Sequence, residues 1–179
     1  MTTTEKKRLL RREIRARKEA MTADEREEAS RRITEAVLAL PELASAGTVL
    51  LYSSLPDEVQ TAELIGLLYG SKRILLPVVQ DEGLVLKEYS PESIHEGYRG
   101  IMEPDGAAPE ADAGEVEFAV IPGMAFDLTG GRLGRGGGFY DRLIPLLHCS
   151  KAGICYSCQI VDEVPRETFD IKVDKVLHE

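Results

Sequence analysis

The sequence predicts an α/β protein built on a mainly parallel sheet. Three observations lead there. The short apolar runs 48–53 (TVLLYS), 73–79 (RILLPVV) and 117–121 (EFAVI) have strand length and are apolar on both faces, as buried strands are. Segments of helical spacing lie between them. Glycine and proline punctuate the strand ends, at Gly47 and at Pro122-Gly123.

The elements follow in order. Thr4 is placed to cap a first helix reaching about residue 20, with Leu10, Ile14 and Met21 on one stripe. Thr22-Ala-Asp-Glu25 has capping-box spacing, so a second helix runs to about residue 40 and stops before Pro41. After the strand 48–53, residues 61–69 fit a helix and 73–79 a second strand. Residues 84–89 alternate in polarity and suit an edge strand. Residues 90–114 mix Gly, Pro, Ser and acids with weak periodicity and read as loop with short turns. The strand 117–121 leads into a glycine-rich segment and a helix to about residue 147. Residues 152–156 and 173–177 complete the sheet. In such sheets ligands bind beyond the carboxyl ends of the strands, which singles out 53–61, 122–141 and 156–159.

The segment 130–141 (GGRLGRGGGFYD) carries the strongest chemical signal. Six of the nine residues 130–138 are glycine, which lets backbone approach a ligand closely. Successive N–H groups in such a turn form an anion nest, and a helix starting near Gly138 would point its dipole into it. Arg132 and Arg135 add charge suited to phosphate oxygens. The pattern is neither a Walker A loop, lacking Lys-Ser/Thr, nor GxGxxG; the competing reading is a flexible surface loop. Asp141, one turn into the helix, is suited to Mg²⁺ beside phosphates, or else complements the dipole or pairs with Arg142. Asp170 is a possible second carboxylate, locally no different from Asp162 or Asp174. Asp57 and Glu58 follow the first strand, where they could hold a polar ligand group or form an acid cluster at a helix start.

Charge is unevenly distributed. The net charge is −9, but residues 5–18 carry eight bases and two acids. That argues against nonspecific nucleic-acid binding by the body, and leaves the first helix as an anion-binding element or a solvated face. Lys7, Arg11 and Lys18 fall near one face of it. No apolar run approaches the ~20 residues of a membrane span. The basic N-terminus lacks an apolar stretch and a cleavage site, so the expectation is a cytoplasmic protein without a secretory signal. Cys149, Cys155 and Cys158 are too few for a disulfide framework; the CxxC pair has no second pair, which favours free thiols over a metal site.

With these pieces in hand, the chain resembles the 5-formyltetrahydrofolate cyclo-ligase (methenyltetrahydrofolate synthetase) family. The resemblance is strongest over 120–141 (VIPGMAFDLTGGRLGRGGGFYD). It extends to the basic helix KKRLLRREIRARKEAM, to PDEVQT, and to Gln159 followed by FDIKVDKVL, covering the chain end to end. It implies a three-layer α/β/α fold of the NagB/RpiA/CoA-transferase-like type, as one cyclo-ligase domain over 1–179 with a basic helical segment at about 4–40 packed on it. It implies ATP- and Mg²⁺-dependent closure of 5-formyltetrahydrofolate, with or without a polyglutamate tail, to 5,10-methenyltetrahydrofolate, with ADP and phosphate released. By the same resemblance, Lys7, Arg11 and residues 132–140 (Arg132, Leu133, Gly134, Arg135, Gly136, Gly137, Gly138, Phe139 and Tyr140) are ATP contacts, with Arg132 and Arg135 catalytic. Ser53, Glu58, Tyr98, Arg99 and residues 133–139 border the folate. Asp141 and Asp170 are magnesium positions. A monomer with no nucleic-acid or membrane partner is expected.

The family places an aromatic before the glycine of a Gly-Ile-x-Glu-Pro turn, where this chain has Arg99 before Gly100. Either Tyr98 substitutes or Arg99 stacks its guanidinium. Asp57, Gln60 and Phe139 also depart from the family's usual residues. Rival readings are a sugar-phosphate isomerase or CoA transferase of the same fold group, and a non-catalytic paralogue binding nucleotide or RNA through the basic helix.

Overall fold

The computed structural model describes residues 1–81, 83–168 and 170–179; Phe169 of the FDIKVDKVL match lies outside them. The chain opens with helices α1 (Thr3–Glu19) and α2 (Ala23–Leu38), each started by a capping box. In α1 the pair is Thr2 with Glu5, not Thr4. The reciprocal bonds need a carboxylate three residues after the cap, and Thr4 is followed at that spacing by Lys7. In α2 it is Thr22 with Glu25, as the spacing implied. A short α3 (Pro41–Ser45) follows where the sequence suggested only a stop; Pro41 occupies the first helical position, where its missing N–H costs nothing.

The next elements are β1 (Thr48–Leu50), α4 (Ala62–Leu68), β2 (Arg73–Gln80), β3 (Gly83–Glu88), β4 (Ile94–Glu96), β5 (Met102–Pro104), β6 (Glu110–Ala111) and β7 (Phe118–Ile121). They are followed by β8 (Ala125–Phe126), β9 (Arg132–Leu133), α5 (Phe139–Leu143), β10 (Ser150–Ile154) and β11 (Lys175–Leu177). Seven strands form the main sheet in the order β11-β10-β7-β1-β2-β3-β6. The first five run parallel; β3 and β6 are antiparallel additions.

Successive residues of the central strands point to opposite faces, and each face has its own core. Val49, Leu51, Ile74, Leu76, Phe118 and Val120 pack under α2 and α4, against Ile33, Val37, Leu64 and Leu68. Leu50, Leu75, Ala119 and Ile121 pack on the other side against Leu143, Ile144 and Leu147. This is the three-layer α/β/α arrangement. Each fully covered Leu or Ile contributes about 1.5–3 kcal/mol. A third cluster, Ile14, Met124, Ala125, Leu133 and Val164, seats α1 on the base of the glycine-rich segment.

Three expectations are corrected. Residues 84–89 are not at the edge: β6 pairs with β3 through Leu86–Ala111 and Lys87–Glu110 and takes that place. Residues 90–114 are not mere loop. They contain the β4–β5 hairpin as well as β6, whose two- and three-residue strands are too short to show periodicity. The helix expected to reach residue 147 is the five-residue α5 followed by a 3-10 turn over Ile144–Leu146, because Pro145 cannot continue the α-helical bonding.

Candidate active site

The loops beyond the carboxyl ends of β1 and β7 enclose a cleft of about 390 Å³. It takes in the predicted Ser53, Glu58, Tyr98, Arg99, Arg132, Gly134 and residues 135–141. Three walls make it: the turn 53–58, the β4–β5 hairpin, and the glycine loop.

The glycine loop begins on a rigid base. Asp127, 1 % exposed, accepts from the N–H groups of Thr129, Gly131 and Val164 at 2.9, 2.9 and 3.0 Å and from the Thr129 hydroxyl at 2.7 Å. Burial works to raise the Asp127 pKa, but these bonds outweigh it and hold the carboxyl below its usual value. Gly131 is required here, since a Cβ would fall 2.1 Å from an Asp127 oxygen. Arg132 follows, its side chain only 5 % exposed. Its Nε donates to Pro122 O at 2.8 Å and a terminal nitrogen to Asp141 Oδ1 at 3.0 Å. Burial opposes the Arg132 charge and the nearby Asp141 carboxylate supports it.

Beyond Arg132 the chain turns open. Gly136 and Gly138 have φ of 104° and 71°, in the left-handed region that favours glycine. Among the described residues, nothing accepts from the N–H groups of Arg135, Gly136, Gly137 and Gly138. That leaves a row of donors of the kind an anion uses. The dipole contribution expected from a long helix is small, because α5 is short.

Arg135 crosses to the opposite wall. Its Nε donates to Glu58 Oε1 at 2.9 Å and a terminal nitrogen to Asp57 Oδ1 at 2.6 Å. Glu58 Oε2 accepts from Leu55 N at 2.9 Å, closing the 55–58 turn. Asp57 also receives Lys18 Nζ at 2.5 Å; Lys18 is 2 % exposed, so the Lys7, Arg11 and Lys18 side of the basic helix is turned onto the protein, while Lys6, Arg8, Arg12, Arg15 and Arg17 are exposed. Tyr156 Oη donates to Glu58 O at 2.7 Å, and Tyr52 Oη to Val59 O at 3.0 Å.

Four predicted residues lie outside the cleft lining. Leu133 has its side chain 1 % exposed in the cluster under α1, since strand alternation turns it away from Arg132. Arg11 Nε donates to Gly134 O at 2.8 Å, and Lys7 Nζ to Asp170 Oδ2 at 2.5 Å; both tie α1 to the loop and the C-terminal segment. Asp170 Oδ2 accepts from Glu167 N as well. The rest of the lining was not assigned from the sequence, although Ile101 and Glu103 belong to the Gly-Ile-x-Glu-Pro turn. Pro77, Val79, Leu84 and Ile101 give it apolar surface, Tyr52 an aromatic ring, and Glu103 a carboxylate. Gln159, part of the family match, bridges instead of lining: it donates to Gly123 O and Met124 O and accepts from Tyr156 N. All three cysteines are free, and burial raises the Cys155 thiol.

A mainly parallel sheet with an arginine-glycine loop at its strand ends, facing an apolar wall edged by carboxylates, marks an α/β enzyme whose cleft sets anion-type donors beside apolar surface. The 5-formyltetrahydrofolate cyclo-ligase family model matches residues 3–179, and the chain belongs to that family, whose reaction converts 5-formyltetrahydrofolate to 5,10-methenyltetrahydrofolate. The 5-formyltetrahydrofolate cyclo-ligase of Haemophilus influenzae is 32 % identical, covering 97 % of this chain and 98 % of its own. That of Escherichia coli K12 is 30 % identical over 92 % of this chain and 95 % of its own. The solved 5,10-methenyltetrahydrofolate synthetase of Aquifex aeolicus superimposes with a TM-score of 0.87 at 33 % identity, over 95 % of this chain and 88 % of its own. The Mycoplasma pneumoniae synthetase, at 22 % identity and a TM-score of 0.78 over 96 % of this chain and 98 % of its own, shares the fold.

Proposed function

We propose that the chain closes 5-formyltetrahydrofolate with MgATP by phosphorylating the formyl oxygen, and that the glycine loop is the wall shared by the two substrates. One observation carries this reading: the loop holds Arg132 beside Asp141 on one side and sends Arg135 to Glu58 on the other. The four uncommitted N–H groups lie between them.

A formamide oxygen is a poor leaving group. Its lone pair attacks the γ-phosphorus, the bond to the β-phosphate oxygen breaks, and ADP leaves. N10 then attacks the activated formyl carbon, the carbon–oxygen bond breaks, phosphate departs and N10 loses its proton. Such a path asks for positioning and charge stabilisation and for no covalent nucleophile. Arg132 and Arg135 would stabilise the phosphoryl oxygens, with the 134–140 backbone around them. Lys7 and Arg11 would meet ATP from behind the loop. Ser53, Glu58, Tyr98 and Arg99 would border the folate.

Asp141 fits a magnesium ion carried by ATP: its side chain is 51 % exposed at the cleft, and Arg132 engages only Oδ1. Asp170 retains Oδ1, both of its bonds falling on Oδ2. Among the described residues no cluster of three or more metal-ligating side chains occurs, so a magnesium ion here would need further ligands from phosphate and water. Bound there, magnesium would neutralise phosphate charge. The reading includes action as a single-domain cytoplasmic monomer without nucleic-acid partners. No helix among the described residues is long and apolar enough to cross a membrane.

Purified protein mixed with 5-formyltetrahydrofolate and MgATP should develop the methenyl chromophore, and should not do so without ATP. Absence of product in both mixtures sinks the proposal. Product in both would remove ATP from the reaction.

A further inference from the structure

Glu103 stands out among the cleft carboxylates. It lies on β5, where strand alternation leaves Met102 45 % exposed and turns Glu103 inward to 7 %. β5 packs on β2, which places Glu103 on the same wall as Pro77 and Val79. Its carboxylate makes no hydrogen bond or ion pair with any described residue. Glu58, by contrast, has one oxygen on Arg135 and the other on Leu55 N. Neither oxygen is sealed off from the cleft, so a ligand that displaces water there has to supply the donors this carboxylate lacks.

The neighbouring turn is shaped around this side chain. A Cβ on Gly97 would fall 2.0 Å from Glu103 Oε1 and 2.6 Å from its Cγ. Glu103 thus lies flat across Gly97, in space that any other residue at 97 would fill. Gly97 is fixed in turn by its N–H donating to Ile101 O at 2.8 Å.

We infer that Glu103 is a second folate-binding carboxylate, accepting an N–H donor of the reduced pterin ring. This rests on the folate reading of the cleft and adds a specificity-determining residue to it. A reduced pterin offers several ring and amino N–H donors, and a carboxylate with free lone pairs on an apolar wall selects such a ring over an isostere without them. ATP, held through phosphates at the glycine loop, does not depend on Glu103.

The test compares wild type with Glu103→Gln and Gly97→Ala. Equilibrium affinity for 5-formyltetrahydrofolate is titrated without nucleotide, ADP affinity is titrated separately, and steady-state KM is measured for each substrate. Glu103→Gln should weaken folate about tenfold or more, as for loss of a charged hydrogen bond, and leave ADP affinity and KM for ATP within about twofold. Gly97→Ala, which displaces Glu103 and keeps its charge, should shift folate in the same direction. Folate affinity within about twofold of wild type in a folded Glu103→Gln overturns the inference, as does an equal loss for folate and ADP. Should Glu103→Gln not fold, Gly97→Ala decides on the same criteria. Failure of the wild type itself to turn over 5-formyltetrahydrofolate strikes instead at the proposed function.

Discussion

Two of the three walls of the cleft are built on opposite principles. The glycine loop grows from a buried hub, with Asp127 gathering three backbone N–H groups and Arg132 held at both ends of its guanidinium. The β4–β5 hairpin is two strands of three residues joined by a turn in which Arg99, with φ of 56°, takes a left-handed conformation. Its aromatic contact is light: Tyr98 meets Phe139 edge-on at 6.2 Å, and the Arg99 guanidinium lies 5.3 Å from the Tyr98 centroid. The difference teaches a division of labour. On the proposed reading, the wall assigned to phosphoryl charge is pre-organised and the wall assigned to the pterin ring is lightly held.

The largest expected effect tests the rigid wall. Arg132→Ala should lower kcat/KM for ATP about 100-fold or more, the scale of losing a fixed donor to a developing anion. Arg132→Lys should recover little, because a point charge cannot span Pro122 O and Asp141 together. A Lys variant as active as wild type would break the contrast.

Asp127→Asn should cost about 2 kcal/mol of stability in urea unfolding near neutral pH, through the weakened hub. The folded-state pKa of Asp127 is depressed, so its charge stabilises the fold above the unfolded value of about 3.9 and loses that effect as pH falls through the folded value. The gap between wild type and Asp127→Asn should therefore narrow in acid. A gap that is flat from neutral to acid pH contradicts the assignment.

Glu58→Ala should raise KM for folate about tenfold while ADP affinity holds. It also frees Arg135, so unchanged folate kinetics would show that the turn 55–58 serves the loop alone. The smallest effect belongs to the lightly held wall. Tyr98→Ala should raise KM for folate about threefold, the worth of one aromatic contact, and Arg99→Ala less. The reverse ranking would assign the stacking role to Arg99.

What was legible in the sequence follows the same divide. The glycines, Arg132, Arg135 and Asp141 are contiguous, so their shared purpose shows on one line. The sheet core was legible because its strands are apolar on both faces. Asp127 escaped notice, although Asp-Leu-Thr-Gly is a natural side-chain-to-backbone turn, because its third partner is Val164, 37 residues on. Glu103 and Tyr52 reach the cleft only through sheet alternation and packing. Leu133, which the resemblance places in the loop, has its side chain turned by strand alternation into the cluster under α1.

The clasp of α1 has a consequence for how the molecule comes into being. Arg11 reaches Gly134 across 123 positions and Lys7 reaches Asp170 across 163. Contacts so far apart carry the largest loop-closure entropy, a cost that the rest of the fold has to offset. Helix α1 is locked in place only once the segments around Gly134 and Asp170 are themselves ordered. A chain stopped short of Asp170 would lose strand β11 and the Val173 N–H bond to Gly130 O together with the Lys7 anchor, so sheet edge, loop base and α1 clasp depend on the same segment.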